Sequence, residues 1–307
     1  MRSIKRKHHS FTLVELLIAI AIFSLVIVLI SSLLSGINKT WVSGEQRVES
    51  YQNGRAILNL MARDLKSAVV SSTLQFIENP PLGSVEQLPW NQRRNSSAIF
   101  WQSALQSGAA GNICEVGYYI DKNYRLQRFF VPPDNANYNI FATAPSALGA
   151  AWVTNFDPVT QPALFSVVSD GVLGMWVRCM DRNGEAIPWY QSSGILYNSA
   201  ASFQPAPPGA SPSPGFKYTN AANTARAHLL PYSVEITIVM LDKKALARPG
   251  LVIPGLPQDP SDPSSPSANS PNDIPAAIHY FEQKLISNKI DSARTFLARV
   301  QLANSSQ

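Results

Sequence analysis

Phe11-Thr12-Leu13-Val14-Glu15-Leu16-Leu17-Ile18-Ala19-Ile20-Ala21-Ile22-Phe23 opens an apolar run that continues to about Leu34, and after Glu15 no further charge appears until Lys39. It follows directly on a basic leader, Met1-Arg2-Ser3-Ile4-Lys5-Arg6-Lys7-His8-His9-Ser10. About 20 apolar residues suffice to cross a bilayer as a helix, because each adds about 1.5 Å of rise and the hydrocarbon core is about 30 Å thick. Residues 11–34 therefore read as a membrane-spanning helix. Arg2, Lys5, Arg6 and Lys7 precede the run and no cation lies inside it; this asymmetry keeps the leader cytoplasmic and sends the rest of the chain outward. A cleaved secretory signal does not fit, since its apolar region runs to only about 7–15 residues and carries no acid near its start.

Glu15 needs a reason of its own. A carboxylate near the centre of a spanning helix costs about 2.5–3.5 kcal/mol, and less toward the interface. Glu15 lies near the cytoplasmic end of the run, which softens the penalty without removing it. An intramembrane acid marks a function by default, and its natural partner is a cation at the same depth.

The basic leader, the small Ser10 and then Phe11-Thr12-Leu13-Val14-Glu15-Leu16-Leu17 resemble the processing and methylation motif of type IV pilins and type II secretion pseudopilins. The resemblance implies that a membrane prepilin peptidase cuts between Ser10 and Phe11 and methylates the new Phe11 amine. It also implies that Glu15 serves assembly: the amine of one subunit meets the carboxylate of a neighbour, and pairing in low dielectric fixes axial register. The family usually has Gly before the cut, and Ser10 is the departure here. The implied partners are other pseudopilins or minor pilins, the prepilin peptidase, an inner-membrane assembly platform and membrane lipid. The implied location is the bacterial inner membrane in a single pass, N-terminus cytoplasmic and C-terminal domain periplasmic or extracellular, then the filament.

Beyond the span, Ile37, Trp41, Val48, Tyr51, Leu58, Met61, Leu65 and Val69 recur at helical spacings, so one apolar stripe extends to about Val70. Residues 35–70 are expected to continue the helix outside the membrane, with Gly36, Gly44 and Gly54 as points of weakness. Arg55, Arg63, Asp64 and Leu65 follow an Arg, hydrophobic turn, Arg-Asp-Leu order similar to J-type minor pseudopilins. Arg63 and Asp64 themselves read as a solvated helix face.

Residues 71–307 change to Pro, Gly, Asn and short β-branched or aromatic runs, the composition of a mainly antiparallel β domain. Strands are expected at Ala98–Ser103, Glu115–Ile120, Leu126–Val131, Gly171–Asp181 and Val234–Leu241, with a hairpin turn at Asp121-Lys122-Asn123. Their order again resembles a J-type pseudopilin as far as about Asp242. The fold class is α+β, and the resemblance implies a pilin-like lollipop: a long N-terminal helix packed on an antiparallel sheet. Segments 204–216 and 254–275 are rich in Pro, Ser, Ala and Asn and read as exposed loops that bury too little to offset their ordering entropy. The tail reads as a short helix over Ala276–Ile286, then a strand through Phe296, Ala298, Val300 and Leu302.

The net charge is +5 at pH 7, and cleavage would remove the four leader cations and leave about +1, so basicity gives no argument for nucleic acid. Cys114 and Cys179 fall in or beside predicted strands; an oxidising compartment permits a disulfide between them, and burial as apolar thiols is the alternative. His228 and His279 stand alone, and no phosphate-cradling loop is present, so no catalytic, cofactor or metal residues are assigned. Asp181, Asp242 and Glu235 read as turn acids rather than as a Ca²⁺ site. The expected function is a structural minor pseudopilin at or near the tip of a type II secretion pseudopilus or type IV pilus. A minor pilin in adhesion or DNA uptake, or a membrane-anchored exported enzyme, is the alternative.

Overall fold

The computed structural model describes residues 12–71, 74–78, 96–105, 111–136, 138, 161–187, 197–199, 230–255, 273–290 and 292–302. The apolar run and the stripe beyond it form one helix, α1 (Leu13–Lys66), of 54 residues. It continues through Gly36, Gly44 and Gly54: three losses of about 1 kcal/mol each are small against so many helix-forming neighbours. It ends four residues before the expected Val70. Ser67 donates its hydroxyl to the Asp64 carbonyl at 2.7 Å, and Ala68–Val69 leave as strand β1.

The chain divides into two units, Met1–Glu49 and Ser50–Gln307. In the first, every described side chain is exposed. In the second, the last turns of α1 bring Ile57, Leu58, Met61 and Leu65 into a core with two antiparallel sheets. The expected stripe is therefore buried only in its final part, and Ile37, Trp41, Val48 and Tyr51 remain exposed.

The larger sheet contains β1, β2 (Phe76–Glu78), β3 (Ile99–Ser103), β4 (Cys114–Ile120), β5 (Arg125–Val131), β6 (Phe165–Asp170) and β8 (Tyr197–Asn198). Their order is β6-β5-β4-β3-β2-β8, with β1 also on β3. The smaller sheet, of order β10-β9-β7, contains β7 (Val172–Met180), β9 (Ser233–Met240) and β10 (Arg294–Gln301). The expected strands lie within a residue or two of these bounds, but Gly171 is a turn residue. Its φ is +77°, and it carries the chain from β6 in one sheet to β7 in the other. The expected Asp121 turn is present: Asp121 Oδ1 accepts the backbone N–H groups of Asn123 and Arg125 at 2.8 and 3.1 Å.

Alternation assigns the faces of the smaller sheet. Met175, Val177, Val234, Ile236 and Ile238 enter the shared core, while Leu173, Trp176 and Val239 meet Phe281 and Leu285 on the other side. Phe281 and Leu285 belong to α3 (Ile274–Ser287), which follows the single turn α2 (Lys243–Leu246). The expected tail helix thus starts earlier, and Ile274 and Pro275 belong to it rather than to a loop; proline is well suited to a first helical turn. Segment 204–216 and residues 256–272 lie outside the described residues. One charged row crosses the same sheet: Glu235 accepts from Arg178 Nε at 2.8 Å and from Arg299 at 2.9 Å, each on the strand beside it. Burial opposes ionisation of Glu235, but the two guanidiniums outweigh it and hold the carboxyl below its usual range.

The outer edge of β7 is closed by side chains from the other sheet's approach. Ser96 Oγ donates to the Met175 carbonyl at 3.0 Å, and the Met175 and Val177 N–H groups donate to the hydroxyls of Ser96 and Ser97 at 2.9 and 3.1 Å. Pairing spare edge groups in this way keeps a short sheet from recruiting other strands.

Candidate processing and assembly site

Ser10 and Phe11 lie outside the described residues. Glu15 stands in the first turn of α1, where its contacts are local. Thr12 accepts the first helical hydrogen bond, from Leu16 N–H at 3.2 Å. Its hydroxyl accepts Glu15 N–H at 3.3 Å. In return, Glu15 Oε2 accepts both the Thr12 N–H and the Thr12 hydroxyl, each at 2.9 Å. This is a reciprocal capping box, which satisfies orphan donors at a helix start and sets an acid at the positive end of the helix dipole. Thr12 is the residue the sequence reading left unused, although the Thr-x-x-Glu spacing ahead of an apolar run was visible. Both Thr12 donors go to Oε2, so neither occupies Oε1.

The helix behind Glu15 suits a bilayer. It is long and apolar enough to cross a membrane, and none of its most apolar window is buried. The hydroxyl of Ser24, inside the span, donates to the Ile20 carbonyl one turn back at 2.8 Å. Polar groups satisfied within the segment are what a hydrocarbon environment demands.

Of the two arrangements the sequence leaves open for Cys114 and Cys179, the structure shows the buried thiols: both are free and buried. They occupy strands of different sheets, β4 and β7. Cys114 Sγ donates to the Leu105 carbonyl at 3.4 Å. Burial pushes the Cys179 thiol well above its usual range, and the nearby Glu78 adds to the shift.

Arg63 and Asp64 form a loose ion pair, Nε to Oδ1 at 3.8 Å, but differ in exposure. Arg63 is solvated, with 73% of its side chain exposed, but Asp64 is 1% exposed and anchored to the larger sheet. The expected solvated face therefore holds for only one of the pair. Asp181 is a turn acid: its Oδ1 accepts the N–H groups of Asn183 and Glu185 at 2.9 and 2.8 Å.

Comparison with curated proteins gave no match. A family model, described as the prokaryotic N-terminal methylation motif, matches residues 5–31, so the second half of the leader from Lys5, the Ser10–Phe11 junction, Glu15 and most of the span fall within the matched segment.

Proposed function

We propose that this chain is a structural subunit of a pilus-like filament, cut between Ser10 and Phe11, methylated on Phe11, and assembled through the apolar part of α1. The observation that carries the reading is Glu15 at the head of an exposed apolar helix, inside a matched methylation motif. Its Thr12 contacts deepen the mechanism. They hold the carboxylate at the helix start while Oε1 stays available to a cation, so the methylated amine of a neighbour could be received without dismantling the cap. The charge pair would be formed in low dielectric, where an unpaired carboxylate is penalised, and this makes axial register selective. The order of the Arg-Asp-Leu helix segment and the strands after it supports a J-type minor pseudopilin near the tip of a type II secretion pseudopilus.

The test is mass spectrometry of the N-terminal peptide from host membranes, with crosslinking of wild type and Glu15→Ala. We expect a methylated Phe11 terminus in both proteins and loss of crosslinked partners in Glu15→Ala alone. An intact Met1 leader in the wild type would leave a static membrane anchor and end the filament reading.

A further inference from the structure

We infer that Trp41 and Lys39 form a lipid-headgroup contact at the outer face of the membrane, setting the depth of α1 in the bilayer before assembly. The inference rests on the reading of residues 11–34 as the membrane span. Trp41 is 74% exposed, the most exposed large apolar side chain of the helix. Lys39, two residues earlier and on a different face of the helix, is also exposed and is the first charge after Glu15.

Length selects the bilayer as the occupant. From Glu15 to Trp41 is 26 residues, or about 39 Å of helix. A bilayer with its headgroup layers measures about 40–45 Å. Glu15 near one interface therefore places Trp41 at the other. Side-chain direction refines the fit: helical side chains lean toward the N-terminus, over the preceding turn, so the indole reaches back toward the acyl chains from a Cα at the rim. An indole has an apolar body and one N–H donor, the combination enriched at membrane interfaces. Lys39 starts about 3 Å deeper, and its long stem can stay against apolar surface while the ammonium turns outward, against that lean, to lipid phosphate. Exposed Ile37 and Val42 complete an apolar collar there.

The experiment uses the full chain in phosphatidylcholine–phosphatidylglycerol vesicles. The acyl chains carry bromine either near the glycerol end or near the methyl end, and tryptophan fluorescence is read for wild type and Trp41→Phe. Flotation of the vesicles reports membrane association separately. Of the six tryptophans, only Trp41 should be quenched, more strongly by shallow than by deep bromine, and Trp41→Phe should lose that quenching while floating equally well. Equal quenching of the two proteins, or stronger quenching by deep bromine, would overturn the headgroup contact and leave the membrane span intact. A wild-type chain that fails to float would overturn both.

Discussion

Asp64 Oδ2 accepts the Tyr118 hydroxyl at 2.7 Å in the protein interior, tying the end of α1 to the middle of the larger sheet. Arg128 Nε donates to the same oxygen at 2.8 Å from the neighbouring strand. Tyr118 and Arg128 are register partners on β4 and β5, so one carboxylate spans two strands. Burial, followed by the Asp64 charge, pushes the Tyr118 hydroxyl far above its ordinary pKa, so it stays a donor. Removing one member of a buried charged pair leaves its partner stranded and costs about 3–5 kcal/mol. Asp64→Ala should lower stability by that order in denaturant unfolding, while Arg63→Ala stays within about 0.5 kcal/mol. Equal effects from the two substitutions would mean that the anchor does not matter.

Gly54 faces the ring of Phe296, and a Cβ there would lie 2.7 Å from three ring carbons. Tyr51 meets the same ring edge-on, at 5.6 Å between centroids. Gly54→Ala should therefore destabilise by about 1–3 kcal/mol, despite a helix-propensity gain of about 1 kcal/mol. Gly44 has open space around its would-be Cβ, and Gly44→Ala should be neutral or stabilising. Thermal unfolding of the unassembled chain reads both; the same sign for the two would refute the close approach.

Gly171 has no substitute at the crossing between sheets. Its φ of +77° disfavours a side chain, and a Cβ would sit 2.4 Å from the Leu241 carbonyl oxygen. That carbonyl belongs to backbone already committed, because Leu241 N–H donates to Gly171 O at 2.7 Å. Gly171→Ala should reduce the folded yield sharply, and a proteolysis pattern indistinguishable from wild type would contradict this.

Glu78 is wholly buried. It accepts the Ser97 hydroxyl at 2.6 Å, but its Oε2 has no hydrogen-bond partner. Burial pushes its pKa up to about 8 from an unperturbed 4.5, with the Ser97 hydrogen bond opposing. The folded state therefore holds a proton that the unfolded chain releases. Its contribution is fully present below about pH 4.5 and falls by about 1.4 kcal/mol per pH unit until it is lost near pH 8. Glu78→Gln should flatten that slope in unfolding curves collected across the interval. An unchanged slope would show that Glu78 is ionised in the folded protein.

Cys114 and Cys179 should both react with a thiol reagent once the chain is unfolded, with no reductant added, and react slowly when it is folded, because both are free and buried. Two modified thiols by intact mass is the expected result. A protein that takes up none in denaturant would contain the disulfide after all.

What the sequence determined by itself was local. The span, its charged flanks and the motif around Glu15 follow from run length and residue order, and the tail helix and long strands follow from spacings of 3.6 and 2. The Thr12–Glu15 cap belongs to the same class, since its partners are three residues apart. The tertiary structure alone decided matters between distant residues. Asp64 could look like a surface acid because its partners Tyr118 and Arg128 are 54 and 64 positions away. Gly54 could look like a weak point because Phe296 arrives from the last strand. Gly171 could look like the start of a strand because only the pairing of β6 with β5 and β7 with β9 reveals two sheets. Periodicity tells a residue which face it occupies, but the element opposite that face is chosen by packing of the whole chain, and that choice turns an acid into an anchor and a glycine into a seat.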